Sequence, residues 1–250
     1  MSIKHYFKHP LDSFERTLEH RELIKSKVFL RKLYMQWYTE FSKEINKYKN
    51  GVFVELGSGG GFLKEIEPGV ICSDVLPLPT NDLSFSALKM PFNDHSVDGI
   101  FMIDTFHHIP DSEKFLSEAQ RVLKKGGKII MIEPANSWWG RFIYKNFHHE
   151  PFNPEGNWII PDLGPLSGAN GALPWIVFER DQQLFNQKFP ELEIELIKYH
   201  TPLRYLLSGG VSIKQLVPGF SYNAFSLIDK FLSNISRQLS MFVTITIKYK

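Results

Sequence analysis

The sequence predicts an α/β fold built on a mostly parallel sheet. Apolar, strand-like segments alternate with helical segments between residues 50 and 135, as parallel strands joined by crossover helices do. The first of these strands, residues 52–56, runs directly into a glycine-rich turn at residues 57–61. A strand, a glycine turn and the start of a helix direct backbone N–H groups towards a ligand. The same stretch therefore predicts the fold class and a cofactor site.

Composition limits the class of protein. With 250 residues, 43% of them hydrophobic, the chain is long enough for one large domain with a real core. A formal net charge of +2 is too small to predict nucleic-acid binding. A single cysteine, Cys72, leaves no internal disulfide and suits a reducing compartment. We find no signal peptide and no transmembrane segment, so the sequence predicts a cytoplasmic protein.

Apolar periodicity predicts the elements of the first half in order. Residues 11–48 contain no Gly or Pro and carry apolar residues at helical spacing, which predicts one long helix or two. The fourth strand is almost wholly apolar and therefore central in a sheet covered on both faces. A helix precedes the fifth strand and is expected to end at Gly126 and Gly127. The five strands are expected within residues 52–56, 69–77, 83–92, 96–106 and 128–134.

The second half of the chain is less regular. Two irregular stretches are expected to be insertions, at about residues 136–175 and 201–221. The helix at residues 222–240 is strongly amphipathic but has few cations on its polar face, so we expect burial against the sheet or a partner subunit rather than a membrane surface. The other elements predicted here are a helix at residues 178–189 and strands at residues 192–200 and 241–249.

The glycine-rich turn has to be assigned to one kind of cofactor. A dinucleotide-binding fingerprint requires a third glycine at position 62, which is Phe62. A P-loop requires a hydroxyl residue after its lysine, and Lys64 is followed by Glu65. What remains is an acid at the strand end, Glu55, followed by alternate glycines at positions 57, 59 and 61.

This pattern resembles the first motif of the class I S-adenosylmethionine-dependent methyltransferases. The resemblance continues at Asp74, which ends the second strand, in the segment ALKMPF at residues 87–92, and through residues 96–134, where Glu118 and Arg121 match a structural pair. It implies a doubly wound, mostly parallel seven-stranded sheet with an antiparallel last strand, the Rossmann-like methyltransferase fold. One departure is the short connection between Asp74 and Leu83, where the usual helix must be stunted or absent.

The resemblance also implies S-adenosylmethionine as the cofactor, with S-adenosylhomocysteine as its product, and a set of residues that bind it. Glu55 is expected near the methionine end, Asp74 at the ribose hydroxyls, and Val75 and Leu88 at the adenine. Ser86 stands where the family often has an aspartate that reaches the adenine amino group. The full set is Glu55, Gly57, Ser58, Gly59, Gly61, Asp74, Val75, Ser86, Ala87, Leu88, Asp104 and Thr105.

Histidines are the candidate general bases, since the acceptor must lose a proton near neutral pH. His107 follows the fourth strand, close to the expected cofactor edge. His148 and His149, with Glu150, lie in the first insertion, where they have no obvious role in the core. Adjacent histidines alone lack the spacing of a metal site, so we expect no metal. The tryptophans of this region either line a pocket or fasten the insertion to the core.

Together these observations predict a methyltransferase domain at residues 51–250, with residues 1–50 forming a helical extension that contributes to a substrate lid. The acceptor is expected to be a small or medium-sized molecule that is amphiphilic or glycosylated. We expect the methylated atom to be oxygen or nitrogen rather than carbon. A homodimer is compatible with the sequence. The alternatives are a nucleotide-cofactor oxidoreductase and a non-catalytic protein that binds S-adenosylmethionine as a partner.

Overall fold

The computed structural model describes residues 7–148, 150–161 and 163–250. In this part of the chain, seven strands form one sheet in the order β3-β2-β1-β4-β5-β7-β6. Strands β1 to β5 are parallel to one another, whereas β7 runs antiparallel to both β5 and β6, as predicted. The strands are β1 Phe53–Leu56, β2 Ile71–Asp74, β3 Leu83–Ser84, β4 Val97–Ile103, β5 Leu123–Pro134, β6 Leu192–His200 and β7 Phe242–Tyr249.

Helices cover both faces of this sheet. Residues 75–82, between β2 and β3, form no helix, so the short connection expected from the sequence is confirmed. A 3₁₀ turn, Phe106–His108, follows β4, and a π-helical turn, Ile176–Arg180, precedes α7. The helices are α1 Phe14–Ser26, α2 Val28–Ile45, α3 Leu63–Ile66, α4 Ser112–Val122, α5 Trp138–Phe147, α6 Leu173–Trp175, α7 Gln182–Lys188, α8 Arg204–Ser208 and α9 Tyr222–Ile235.

Two element boundaries differ from the sequence-based expectation. The helix after the glycine turn is a single turn, α3, because Pro68 and Gly69 follow it almost at once. Helix α4 ends at Val122 rather than at the glycine pair, and β5 begins at Leu123, which pairs with Val97 of β4. Gly126 takes a φ of +85° within this strand, where the β4–β5 register shifts. The glycines therefore allow an irregular start to β5.

The core lies on both sides of the central strands and includes the N-terminal helices. All seven residues of β4 are buried. Phe41 of α2 is fully buried, and its ring stacks on Phe101 of β4 with centroids 4.7 Å apart. Each large side chain buried this way contributes about 1.5–3 kcal/mol relative to an exposed one. Helix α2 is therefore packed into the fold and cannot be a loosely attached extension.

Helix α9 leaves much of its apolar face exposed, so it is not fully buried against the sheet, and burial against a partner subunit stays a prediction. Leu227, Phe231 and Ile235 are exposed to 71%, 65% and 61%. The inward positions of this helix are instead Tyr222 and Asp229, which are buried. The predicted homodimer stays a prediction. Among the described residues, none of the helices has both the length and the apolar character needed to cross a bilayer.

A buried ion pair fastens α9 to the rest of the molecule. The Nε of Arg204, in α8, donates to Asp229 Oδ2 at 2.7 Å, and the Leu203 backbone N–H donates to Asp229 Oδ1 at 2.8 Å. Arg204 Nη1 also donates to Gln36 of α2 and to the Tyr222 hydroxyl. Arg204 and Asp229 are 5% and 1% exposed. Three helices thus meet at one charged pair in a dry site.

We expect Asp229→Ala to lower the free energy of unfolding by about 3–5 kcal/mol, because it leaves the Arg204 guanidinium buried without its counter-ion. Urea unfolding followed by circular dichroism measures this loss. The control is Lys230→Ala, at the exposed neighbouring position, with an expected effect below about 0.5 kcal/mol. Equal effects from the two substitutions would contradict a role for the ion pair.

Candidate functional site

A cavity of about 440 Å³ opens at the carboxyl ends of the parallel strands. Strand β1 lies between β2 and β4, so the chain first continues from β1 towards one edge of the sheet and then returns to the other side of β1. Open parallel sheets bind their ligands at such a switch point. The cavity wall is formed by the ends of β1, β2 and β4, by segments 85–88 and 164–166, and by side chains of α1, α2, α5 and α8.

The glycine turn brings bare backbone to this cavity. Gly57 has a φ of +64°, and a Cβ there would lie 2.4 Å from Thr105 Oγ1. Only glycine fits, since both the backbone conformation and the close approach of Thr105 exclude a side chain. Ser58 fixes the turn to β2, because its N–H donates to the Ser73 carbonyl at 2.9 Å and its hydroxyl accepts from Ser73 N at 3.0 Å.

The predicted cofactor residues converge on the cavity wall, although they come from four separate segments. All of them line it except Gly61, which lies behind the turn beside Thr80. The candidate bases His107 and His148 also line it, whereas His149 lies outside the described residues. The predicted wall residues found there are Glu55, Gly57, Ser58, Gly59, Asp74, Val75, Ser86, Ala87, Leu88, Asp104 and Thr105.

The tryptophans fasten the insertion and are not part of the described cavity wall. Trp158 is buried and its indole N–H donates to Asp181 Oδ2 at 2.9 Å. The Trp139 indole donates to the Pro202 carbonyl at 2.9 Å. Of the two roles that the sequence left open for these residues, the structure supports attachment to the core.

The pair Glu118 and Arg121 is structural, as the sequence predicted. Arg121 donates to both oxygens of Glu118, at 2.9 and 2.7 Å. Glu118 Oε1 also accepts from the Met90 backbone N–H at 2.7 Å, and Arg121 donates to the Phe92 carbonyl at 2.9 Å. The pair therefore holds the segment that follows Ser86–Leu88 and fixes that side of the cavity.

Buried carboxyl groups give the cavity an acidic wall. Burial raises the pKa of Glu55 to about 7, against the opposing hydrogen bonds from Ser58, Cys72 and Tyr38. Burial raises the pKa of Asp104 to about 8, although the nearby His107 charge opposes it. Burial likewise raises the pKa of Asp74 above its ordinary value. Such groups favour a cationic ligand, because a positive charge restores the stability of their ionised form.

Backbone strain occurs at the same place. Asp104 has a φ of +50°, a left-handed conformation that is uncommon for a residue with a side chain. Its backbone N–H donates to the Ile132 carbonyl at 2.9 Å, so the surrounding sheet enforces the conformation. Strained residues of this kind concentrate at functional sites, where the fold over-determines them.

Sequence reasoning missed Glu133, the acid at the end of β5. It is fully buried, and its Oε1 accepts from the backbone N–H groups of Thr105 and Phe106 at 2.9 and 2.7 Å. Its Oε2 accepts from His107 Nδ1 at 2.7 Å. The signal available in the sequence was a carboxylate inside an otherwise apolar strand, because a buried carboxylate requires hydrogen-bond donors or a counter-charge. Glu133 fixes the turn that carries the candidate histidine.

Glu150 joins this network from the first insertion. Its Oε2 lies 3.2 Å from His107 Nε2 and 3.6 Å from His148 Nδ1, and its Oε1 lies 3.7 Å from His108 Nε2. Burial alone would raise the pKa of Glu150, but the hydrogen bond and charge of His107 hold it well below its usual range. Burial would also lower the pKa of His107, but the charge of Glu133 and the bonds to both carboxylates raise it well above its ordinary value.

An aromatic chamber adjoins the acidic wall, and no sequence pattern predicted it. Its members come from α2, α5, α8 and β7, so no local spacing connects them. The Tyr144 hydroxyl donates to the Met241 carbonyl at 2.6 Å, which fixes that ring in place. The aromatic residues on the cavity wall from these elements are Tyr34, Tyr38, Tyr144, Tyr205 and Phe242.

Comparisons with known proteins agree on one family. The family described as "Methyltransferase domain" matches residues 70–131. A demethylmenaquinone methyltransferase from Symbiobacterium thermophilum is 30% identical over 134 residues, covering 51% of this chain and 51% of that protein. A ubiquinone/menaquinone biosynthesis C-methyltransferase from Rickettsia felis is 25% identical over 211 residues, covering 72% of this chain and 80% of that protein.

Solved structures share the whole fold. The geranyl diphosphate C-methyltransferase of Streptomyces coelicolor, solved with Mg²⁺, geranyl diphosphate and S-adenosylhomocysteine, has a TM-score of 0.53 at 14% identity and covers 98% of this chain and 90% of that chain. The chain therefore shares the fold of the class I S-adenosylmethionine-dependent methyltransferases, and its residues 70–131 match a methyltransferase domain. The chain spans about half the length of the Symbiobacterium relative, so neither the activity nor the acceptor of that protein is carried over from the match.

The cavity fits S-adenosylmethionine, the cofactor of the methyltransferases that share this fold. The turn at Gly57 and Gly59 leaves backbone exposed where a side chain would fill the space. Asp74 ends β2 with its oxygens accepting from Gly59 N at 3.2 Å and Leu76 N at 3.0 Å, which leaves lone pairs for hydroxyl donors. The acidic wall suits a ligand that carries a sulfonium and an ammonium charge. S-adenosylmethionine is therefore compatible with every part of this wall.

The raised pKa of Glu55 predicts a proton release. Near pH 7 this carboxyl is partly protonated, and a cationic ligand lowers its pKa, so binding S-adenosylmethionine releases a fraction of a proton. S-adenosylhomocysteine lacks the sulfonium charge and is expected to release less. Calorimetric titration at pH 7, in buffers of different ionisation enthalpy, measures the difference between the two ligands.

The Glu55→Gln variant is the control for this release, since it retains the shape of the side chain without its titration. It should reduce the difference between the two ligands, and the remainder is assigned to Asp104, whose pKa is also raised. If the wild-type protein takes up protons on binding S-adenosylmethionine, the expectation is wrong.

Proposed function

We propose that this protein transfers a methyl group from S-adenosylmethionine to a small or medium-sized, ring-containing amphiphilic acceptor. The observation that carries the proposal is the continuity of the acidic wall with the aromatic chamber in one cavity. The cofactor supplies a methyl group that its sulfonium charge has already activated. The residues of the chain have to bind both molecules, align them in one line, exclude water and accept a proton.

The cofactor half of the cavity is assigned to the glycine turn and the acids around it. Asp74 would accept hydrogen bonds from the ribose hydroxyls, and Glu55 would face the positively charged methionine end. Val75, which is 54% exposed, and Leu88 would enclose the adenine between apolar side chains. The Ala87 backbone and Ser86 are placed to meet its edge.

The N-terminal helices and the two insertions are proposed to form the lid. Leu11 and Ile24 from the first segment, Leu166 from one insertion and Val211 from the other all line the cavity. Asp12 connects two of these segments, because its Oδ1 accepts from the backbone N–H groups of Leu166 and Ser167 at 2.8 and 2.9 Å. Closure of these segments over the cavity would exclude water from the reaction.

The aromatic chamber supports a flat acceptor. Tyrosine and phenylalanine faces pack well against a ring, and tyrosine hydroxyls can meet polar substituents on it. The Symbiobacterium and Rickettsia relatives are named for quinone-related methylations, which agrees with a ring acceptor. We propose a hydroxyl or amine of such a ring as the nucleophile, because a base cluster lies on the same wall. A glycosylated acceptor stays a prediction.

His148 is the histidine that we assign as general base. It lines the cavity, and its Nδ1 accepts from the Glu150 backbone N–H at 3.4 Å and lies 3.6 Å from Glu150 Oε2, so Glu150 holds the ring beside the chamber. His107 is less suited, because its two ring nitrogens contact Glu133 and Glu150 at 2.7 and 3.2 Å. In the transfer the acceptor oxygen forms a bond to the methyl carbon, the carbon–sulfur bond breaks with its electron pair moving to sulfur, and His148 takes the acceptor proton.

Cofactor binding is tested first. We expect S-adenosylmethionine and S-adenosylhomocysteine to bind, and NAD to show no binding, in calorimetric titrations of the purified protein. Asp74→Ala should weaken both sulfur nucleosides about 10- to 100-fold, since it removes hydrogen bonds to a charged group worth about 1.5–3 kcal/mol. Glu193→Ala, at an exposed acid on β6, is the matched control and should bind normally. Retained affinity in Asp74→Ala would contradict the assigned ribose site.

The base is tested with radioactive methyl transfer from S-adenosylmethionine to a panel of phenols, hydroquinones and aromatic amines. His148→Gln should lower kcat on an accepted substrate by about 10²–10⁴-fold without weakening cofactor binding, because it removes only the proton acceptor. His9→Gln, in the N-terminal segment, is the control. Full activity in His148→Gln would overturn the base. Cofactor binding without transfer to any acceptor would favour the non-catalytic alternative.

A further inference from the structure

The strongest unassigned feature is the set of donor atoms where the turn after β4 meets the first insertion. His107 Nε2, His108 Nε2 and Glu150 offer ligand atoms that all lie within 4.8 Å of one another. The sequence-based expectation of no metal depended on the adjacency of the histidines. It could not include a carboxylate brought close from 43 residues away.

Two of the ligand-to-ligand distances lie near those found around one metal ion, and all three lie within 4.8 Å. Glu150 oxygens lie 3.2 Å from His107 Nε2 and 3.7 Å from His108 Nε2. Ligands held at about 2.0–2.2 Å from one ion, at tetrahedral or octahedral angles, are about 3–3.6 Å apart. The two imidazoles therefore need only small adjustments to share one ion with the carboxylate.

Each histidine also has the outer contact that metal-bound histidines require. His107 Nδ1 donates to Glu133 Oε2 at 2.7 Å, and His108 Nδ1 donates to the Gly168 carbonyl at 2.9 Å. A carboxylate on one ring and a backbone carbonyl on the other fix both rings, so that the two Nε2 atoms face Glu150. A metal ion at this place would replace the proton that His107 Nε2 shares with Glu150.

We propose that His107, His108 and Glu150 bind one divalent first-row transition-metal ion, such as Zn²⁺ or Fe²⁺. Two imidazoles with one carboxylate favour these ions over Mg²⁺ and Ca²⁺, which prefer all-oxygen sites. All three ligands line the cavity, so the remaining coordination positions face the chamber proposed for the acceptor. Three protein ligands with an open position are typical of catalytic rather than structural metal sites.

The role of the metal in catalysis rests on the proposed function, whereas the existence of the metal site does not. An ion at this position would bind the acceptor hydroxyl and lower its pKa, so that its proton passes to His148 before the methyl group is transferred. The acceptor class that follows is a ring with a metal-binding oxygen, such as an ortho-substituted phenol.

The test uses tag-free protein freed of metal with a chelator and titrated with Co²⁺, whose visible absorption reports coordination, and with Zn²⁺ by calorimetry. We expect one equivalent to bind. Glu150→Gln and His108→Gln should each weaken binding more than about 100-fold, and Glu133→Gln, at a positioning residue, about 10- to 100-fold. His95→Gln, a histidine bonded to the Leu123 carbonyl away from the cavity, should bind normally.

Circular dichroism spectra identify any variant that does not fold. If His108→Gln fails to fold, Glu150→Gln carries the test, since Glu150 is part-exposed on an insertion. Asp74→Ala separates the two proposals, because it should lose S-adenosylmethionine and keep the metal. Wild-type protein that binds neither Co²⁺ nor Zn²⁺, or binds them as well in Glu150→Gln, overturns the site and means that a proton on His107 supplies the charge.

Discussion

The buried carboxylate of Glu133 is the interaction on which the rest of the site depends. An ion removed from water costs several kcal/mol even after relaxation, and only well-placed donors offset that cost. Glu133 has three of them, the backbone N–H groups of Thr105 and Phe106 and the ring of His107. These bonds fix the turn after β4 to the end of β5. Thr105 is then in place to contact Gly57, so one carboxylate sets the positions of both the glycine turn and the histidine.

That constraint extends from the sheet edge to the segments above it. His107, held on one side by Glu133, contacts Glu150 of the first insertion on the other. Asp12 connects the N-terminal segment to residues 166 and 167 of the same insertion. The insertion that covers the cavity is therefore connected, through Glu150 and His107, to Glu133 at the end of β5 and to the turn after β4. A substitution at the ends of β4 or β5 should therefore also alter the acceptor side of the cavity, because the connections between the two are short and polar.

The sequence predicted those parts of the molecule whose causes are local. The apolar run of β4, the acid at the end of β2 and the glycine turn after β1 each follow from residues that are neighbours in the chain. Helix α3 is short because Pro68 follows it, and the apolar face of α9 stays exposed because a buried polar anchor, Asp229, orients this helix. The contacts of Glu150 with His107 and His108, and the aromatic chamber, could not be foreseen, since the partners lie on distant elements.

This division has a physical basis. The cofactor half of the site uses backbone groups and one acid per strand end, which strand geometry and glycine conformation fix directly. The acceptor half uses side chains from four elements and an insertion, whose arrangement depends on tertiary packing. Methyltransferases that share the first half can therefore differ in the second without changing the sheet. In this protein, the chemistry of the acceptor has to be inferred from two groups of side chains. They are the cluster of His107, His108, His148 and Glu150 and the five aromatic rings beside it.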